Sequence, residues 1–145
     1  MKTISPKDLN NLQLQTLLQT AIAPRPIALA STIDAEGNVN LSPFSFFNLF
    51  SSNPPVVIFS PARRVRDNTS KHTLENVLEV PEVVIGIVNY PIVQQISLAS
   101  TEYGKSVNEF VKSGLTMKDA ALIRPKIIEE CPVNFECKVL EIKHL

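Results

Sequence analysis

Apolar positions along the chain fall into short blocks cut by proline, not into long periodic stretches. Ser5-Pro6 has the form of a helix cap with proline at the first helical position. Leu9, Leu12, Leu17 and Leu18 then predict a short amphipathic helix, or two broken turns, ending before Pro24. Residues 25–33 read as a strand, Asp34-Ala35-Glu36-Gly37-Asn38 as a hairpin loop, and Val39 to Pro43 as the returning strand. Val56-Val57-Ile58-Phe59-Ser60 is continuously apolar and predicts a strand buried on both faces. A helix follows, capped by Asp67 or Thr69, with Leu74, Val77 and Leu78 inward. Residues 83–88 predict another buried strand, and Pro91 starts a helix through Leu98.

The last third carries three further signals. Ser106-Val107-Asn108-Glu109 fits a capping box, with Phe110 and Val111 behind it and Gly114 as the stop. Met117 to Leu122 predicts a turn of helix. Val133, Phe135, Cys137 and Val139 alternate, and Leu140 and Ile142 continue in the opposite phase, which implies a β-bulge near Val139-Leu140. Five or six strands with interspersed helices, and no regular βαβ alternation, favour a mainly β, barrel-like α+β fold with helical insertions.

Composition narrows the function classes. The 145 residues amount to one domain, and 44% hydrophobic with 19% charged residues excludes a disordered chain. Fourteen basic residues balance fourteen acidic ones, so no global pull toward nucleic acid or an anionic membrane is expected. No apolar run approaches a membrane span and the N-terminus lacks a signal-peptide core, so a cytoplasmic protein is expected. Cys131 and Cys137 read as lying on one strand, about 20 Å apart, too far to pair. Cys137 reads as a small core residue.

Self-contained catalytic chemistry is missing from the sequence. There is no G-x-G-x-x-G, P-loop, G-x-S-x-G or S-x-x-K, and His72 and His144 have no metal-ligand spacing to the cysteines. His72 reads as helix surface or a polar neighbour of a basic loop, and Glu102, Glu129 and Glu130 as solvated. No catalytic side chain and no metal site are expected, so any reactivity must come from a cofactor. Two regions fit one. The basic loop Arg63-Arg64-Val65-Arg66 leads into a helix N-terminus, where guanidinium forks and free amides suit a phosphate, although a solvated turn fits equally. Phe44, Phe46, Phe47 and Phe50, beside serines and Asn48, suit a flat aromatic ligand or a plain apolar core. Together they point to a phosphorylated aromatic cofactor.

The ordered set Ala23-Pro24-Arg25-Pro26-Ile27-Ala28-Leu29-Ala30-Ser31-Thr32, Gly37 through Phe47, Asn53-Pro54-Pro55-Val56-Val57, Arg66-Asp67-Asn68-Thr69 and Asn108-Glu109-Phe110 resembles the flavin reductase-like FMN-binding family of the flavoredoxin type. The resemblance implies an FMN-binding split β-barrel, a homodimer, and an oxidoreductase reduced by NADH or NADPH or passing electrons through the flavin. By position it implies that Asn40, Ser42, Pro43, Phe44, Ser45, Phe46 and Phe47 contact the isoalloxazine and ribityl portions, with Phe46 against the ring. It implies that Ser60, Arg66, Asp67, Asn68 and Thr69 hold the phosphate and that Lys105 reaches the cofactor. The family's Lys-Asp-Thr phosphate motif is matched by Arg66-Asp67-Asn68-Thr69. Family members continue for another strand pair, so residues 1–145 are expected to form a single split-barrel domain lacking its C-terminal strands. A non-catalytic FMN carrier or sensor module, and a flavin-free interaction domain, stand as the alternatives.

Overall fold

The fold is described from a computed structural model, in which residues 3–61, 71–104 and 106–144 are described. A 3-10 turn, Pro6–Asp8, precedes α1 (Asn11–Ala21), so the N-terminal leucines form two broken pieces. The break has a local cause: Asn10 and Gln13 form a reciprocal capping box that starts a new helix. Four strands follow: β1 (Ala28–Ile33), β2 (Val39–Phe44), β3 (Phe47–Ser52) and β4 (Pro55–Phe59). Next come α2 (His72–Glu79), β5 (Glu82–Ile87), α3 (Val93–Ala99) and α4 (Glu109–Ser113). Two short strands, β6 (Met117–Lys118) and β7 (Ile127–Ile128), precede β8 (Val133–Lys138).

The main sheet is antiparallel in the order β2-β1-β5-β8, and β3 and β4 form a separate hairpin. Every residue of β1 is buried. The register places Ala30 opposite Ser42 and Ile85, and Leu29 opposite Pro43 and Gly86. Side chains alternate across a strand, so the sheet separates two cores. On one face Leu29, Leu41 and Val84 pack against Ile92, Ile96 and Phe110 of the helical side. On the other, Ala28, Ala30, Phe44, Val83 and Ile85 meet Phe47, Val57 and Phe59 of the hairpin. The small alanines leave room for the Phe44 and Phe59 rings, whose centroids lie 5.4 Å apart. The second face is covered only in part. Among the described residues the sheet does not close into a barrel, and Val133 and Phe135 of β8 remain 46% and 42% exposed.

Several sequence expectations are corrected. β4 is not buried on both faces: it pairs only with β3, and Ile58 on its outer side is 47% exposed. Lys71 is the N-cap of α2 and its own side chain makes no capping bond; Asp67 and Thr69, the expected caps, lie outside the described residues. The inner face of α2 is Thr73, Asn76 and Val77, with Leu78 turned outward. Asn108 caps α4, its Oδ1 accepting the Phe110 and Val111 amides, while the expected box partner Glu109 faces β2. Gly114 does end α4, at a φ of 72°. Residues 117–118 are a strand, not helix. The phase slip after Val139 marks the end of β8 at Lys138, where the Val139 amide turns to the Pro81 carbonyl; the register shift lies in β3, between Leu49 and Ser51. Glu130 is half-buried and receives the Thr116 amide on both oxygens, whereas Glu129 is exposed and pairs with Lys118.

Both cysteines are free. Cys131 sits in the turn before β8, not on it, and is buried against Gly86. A Cβ at position 86 would lie 2.7 Å from the Cys131 Sγ and 3.1 Å from the Ile128 Cδ1. Asn134 holds that turn, its amide bonding the backbone of Ile128 and Cys131. Gly86→Ala should therefore cost about 1–3 kcal/mol in denaturant unfolding, and a second change, Cys131→Ala, should recover part of it. Burial, with the Glu130 charge adding, pushes the Cys131 thiol up from 9.0 to about 11. The unfolded thiol ionises first as pH rises, so stability should fall between about pH 9 and about pH 11. The drop should be shallower in Cys131→Ala, and the wild-type thiol should alkylate slowly at pH 8 until the chain unfolds.

Candidate functional site

A polar groove runs along the outer edge of β2, between the start of α2 and the segment after α3. Asn40 and Ser42 of β2 form one wall, and Lys71, His72 and Thr73 another. Ser100, Thr101, Glu102 and Tyr103 close the far side, and Glu109 of α4 lies at the base. A smaller recess toward the β1–β2 turn shares Asn40, His72 and Glu109 with the groove and adds Asp34, Asn38 and Asn76.

Buried hydrogen bonds set the walls. On β2, Asn40 and Ser42 share the face of Ala30 and Phe44, so they point toward α2 and not toward the helical core. The Asn40 Nδ2 donates to the Thr73 Oγ1 at 3.0 Å, and one turn on the Asn76 Nδ2 donates to the Thr32 Oγ1 at 3.2 Å. These bonds explain why α2 turns polar residues inward: the sheet offers it hydroxyl and amide partners. The Lys71 ammonium lies 5.5 Å from the Phe44 ring centre, a cation–π distance that keeps the charge at the groove. The amide end of α2 faces the same space, and the first amides of a helix suit an anion. The Asp34 carboxylate accepts the backbone and side-chain amides of Asn38 and closes the hairpin.

Of the residues expected from sequence, the structure brings Asn40 and Ser42 to the groove. Phe44 is buried behind it, beneath Lys71. Phe47 packs between hairpin and sheet, and Pro43 shares the face of Leu29 and Leu41. Ser45 is half-buried, Phe46 is 43% exposed, and Ser60 is exposed with its amide on the Phe46 carbonyl. The basic residues 63–66 and the expected phosphate residues Arg66, Asp67, Asn68 and Thr69 lie outside the described residues, as does Lys105. Sequence reasoning missed Lys71, Thr73, Ser100, Thr101 and Glu109 as groove residues, and it left His72 as surface. A lysine and a threonine flanking a helix start were the available signal; Ser100 and Thr101 offered none, because only the packing of α3 against β2 brings them there.

Comparison with known proteins agrees with this architecture. The chain matches the flavin reductase like domain over residues 20–144, and it belongs to that family. An uncharacterized protein of Aquifex aeolicus is 38% identical over 92% of this chain and 67% of its own length. Nitrilotriacetate monooxygenase component B from Bacillus cereus superposes with a TM-score of 0.91 at 27% identity, over 97% of this chain and 69% of that one. The 2-nitrobenzoate 2-nitroreductase NbaA of Pseudomonas fluorescens gives 0.82 at 27% identity, over 94% and 64%. The chain thus spans about two thirds of the length of the curated relatives it matches most fully, and less of others. The fold is the split-barrel type named for a similar flavin reductase structure from Shewanella frigidimarina (TM-score 0.84, 25% identity, over 100% of this chain and 72% of that one), with the barrel open among the described residues. Among those residues no helix is long and apolar enough to cross a membrane.

The Asn40–Thr73 bond ties the groove's two walls together. Asn40→Ala and Thr73→Val should each cost about 1–3 kcal/mol, because each strands a buried polar partner. The double variant should cost less than the sum, which a double-mutant cycle by urea unfolding will measure.

Proposed function

We propose that the chain is the flavin-holding part of an FMN-dependent oxidoreductase, reduced by NADH or NADPH. The observation that carries this reading is the groove: hydrogen-bonding side chains of β2 face a helix amide end and a lysine ammonium. This donor set fits a phosphorylated flavin. Asn40 and Ser42 can bond the ring edge or the ribityl hydroxyls. Lys71, Thr73 and the first amides of α2 can hold the phosphate, with Arg66 to Thr69, which precede α2 in the sequence, as further candidates. Family membership, and similarity to a nitroreductase and a monooxygenase component, support the redox class.

A bound flavin supplies the capacity to take a hydride and release electrons onward; the chain's residues bind and orient it. None of the groove's side chains is assigned a proton-transfer role. Leu49, Phe50 and Ile58 of the β3–β4 hairpin are exposed apolar side chains, which supports the dimer implied by the family resemblance. A carrier module without nicotinamide turnover is the second reading, favoured by the absence of a second basic cluster in the sequence.

FMN titration by visible absorption, followed by NADH and NADPH oxidation with FMN added, tests the reading. Saturable binding that prefers FMN to riboflavin, with a flavin-dependent rate, is expected. Lys71→Ala should weaken FMN about tenfold or more and leave riboflavin unchanged, as loss of a charge-assisted hydrogen bond would. Arg66→Ala with Thr69→Ala asks the same of residues 66–69. Binding without turnover would select the carrier reading, and no binding would remove both.

A further inference from the structure

We propose that Glu109 is a positioning residue for the groove: its buried carboxylate clamps the outer edge of β2 through the Leu41 amide and so fixes Asn40 and Ser42. This inference rests on the flavin reading of the groove given above. Among the described residues β2 is the edge strand of the sheet, so its amides turned away from β1 have no strand partner there. The Leu41 amide is one of these, and it donates to the Glu109 Oε2 at 3.2 Å in a buried setting. Glu109 is 6% exposed and lies on the wall common to the groove and its neighbouring recess.

The position of Glu109 is set from both sides. Ahead of it, the Asn108 side chain accepts the Phe110 and Val111 amides and fixes the helix start. Behind it, the fully buried Phe110 ring anchors α4 in the same core as Leu41. The Ser113 hydroxyl bonds the Glu109 carbonyl at 2.7 Å. These contacts anchor the five-residue helix and hold the carboxylate opposite the strand. Asn40 and Ser42 flank Leu41, and alternation turns both toward α2. Holding the Leu41 amide sets the height of both side chains against the groove. A hydrogen bond to a carboxylate is stronger than a neutral one, and truncating the acceptor strands a buried amide.

The experiment is FMN titration of the full chain as wild type, Glu109→Gln and Glu109→Ala, below the melting temperature, with circular dichroism to verify folding. A Gln side chain still offers an oxygen to the Leu41 amide, so E109Q should bind FMN within about threefold of wild type. E109A should bind at least tenfold more weakly, with bound flavin losing the fine structure of its visible band. A merely structural role would lower the melting temperature of E109A without moving either readout in folded protein. E109A that is folded and binds like wild type overturns the proposal, and so does E109Q as weak as E109A. Should E109A not fold, amide hydrogen exchange in wild type and E109Q decides. Protection of Leu41 before FMN is added supports the clamp, and protection only with FMN overturns it. Wild type that takes no FMN while the Leu41 amide is protected overturns the flavin reading, and the proposal with it; a clamp that fails alone leaves wild-type binding intact.

Discussion

The complete burial of β1 is the constraint on which the rest depends. A six-residue strand with two covered faces must supply a core on each side. Its sequence divides the work by size: Ala28 and Ala30 face the hairpin and its aromatic rings, whereas Leu29 and Ile33 face the helical side. Thr32, on the face of Ala28 and Ala30, accepts the bond that docks α2. With β1 fixed, β2 is carried to the sheet edge, and a strand at an edge must find partners for its outward groups. α4 provides one for the Leu41 amide, α2 bonds the Asn40 side chain, and the groove lies between those helices.

Hydrophobic burial alone would not place a polar groove there. Ordinary packing would turn leucines of α2 inward. Instead Thr73 and Asn76 point in while Leu78 points out, since the sheet presents amide and hydroxyl groups that water cannot reach. Polar groups inside a fold of this size are costly unless matched, and matching restricts the helix to one register. The same matched groups give the groove its hydrogen-bonding walls, so the stability of α2 and the capacity to bind a polar ligand share one set of atoms.

The parts of the fold legible in the sequence are those set by local chemistry. Turn and proline signals located β1, β2, β5 and α3, and Gly114 marked its helix end. Ordered motifs carried the family, which the match over residues 20–144 bears out. Partners distant in sequence were not legible. Val56 to Phe59 has the composition of a doubly buried strand, yet nothing in it says that the hairpin is covered on one side only. Glu109 satisfied a capping-box pattern, and the carboxylate instead serves a strand 68 positions earlier. The alternation before Leu140 held, but its apparent slip reflected the strand's end. Of the site, Asn40 and Ser42 were legible from motif position, whereas Lys71 and Thr73 required knowing where α2 begins.

Between α4 and β8 several backbone amides are held by carboxylates. Glu130 receives the Thr116 amide, Glu136 those of Ala121 and Leu122, and Glu82 that of Arg124. Arg124 in turn donates to the carbonyls of Asp34 and Ala35. At Ala121, Leu122 and Arg124 those bonds use main-chain amides, which every amino acid except proline supplies, while Ile123, Ile127 and Ile128 anchor the segment in the core. Ala121 and Leu122, exposed at its crest, are thereby relieved of any part in shaping it. Their identities are free to change from one descendant of the protein to another while the path persists, so this stretch can acquire new surface chemistry without a cost to the scaffold.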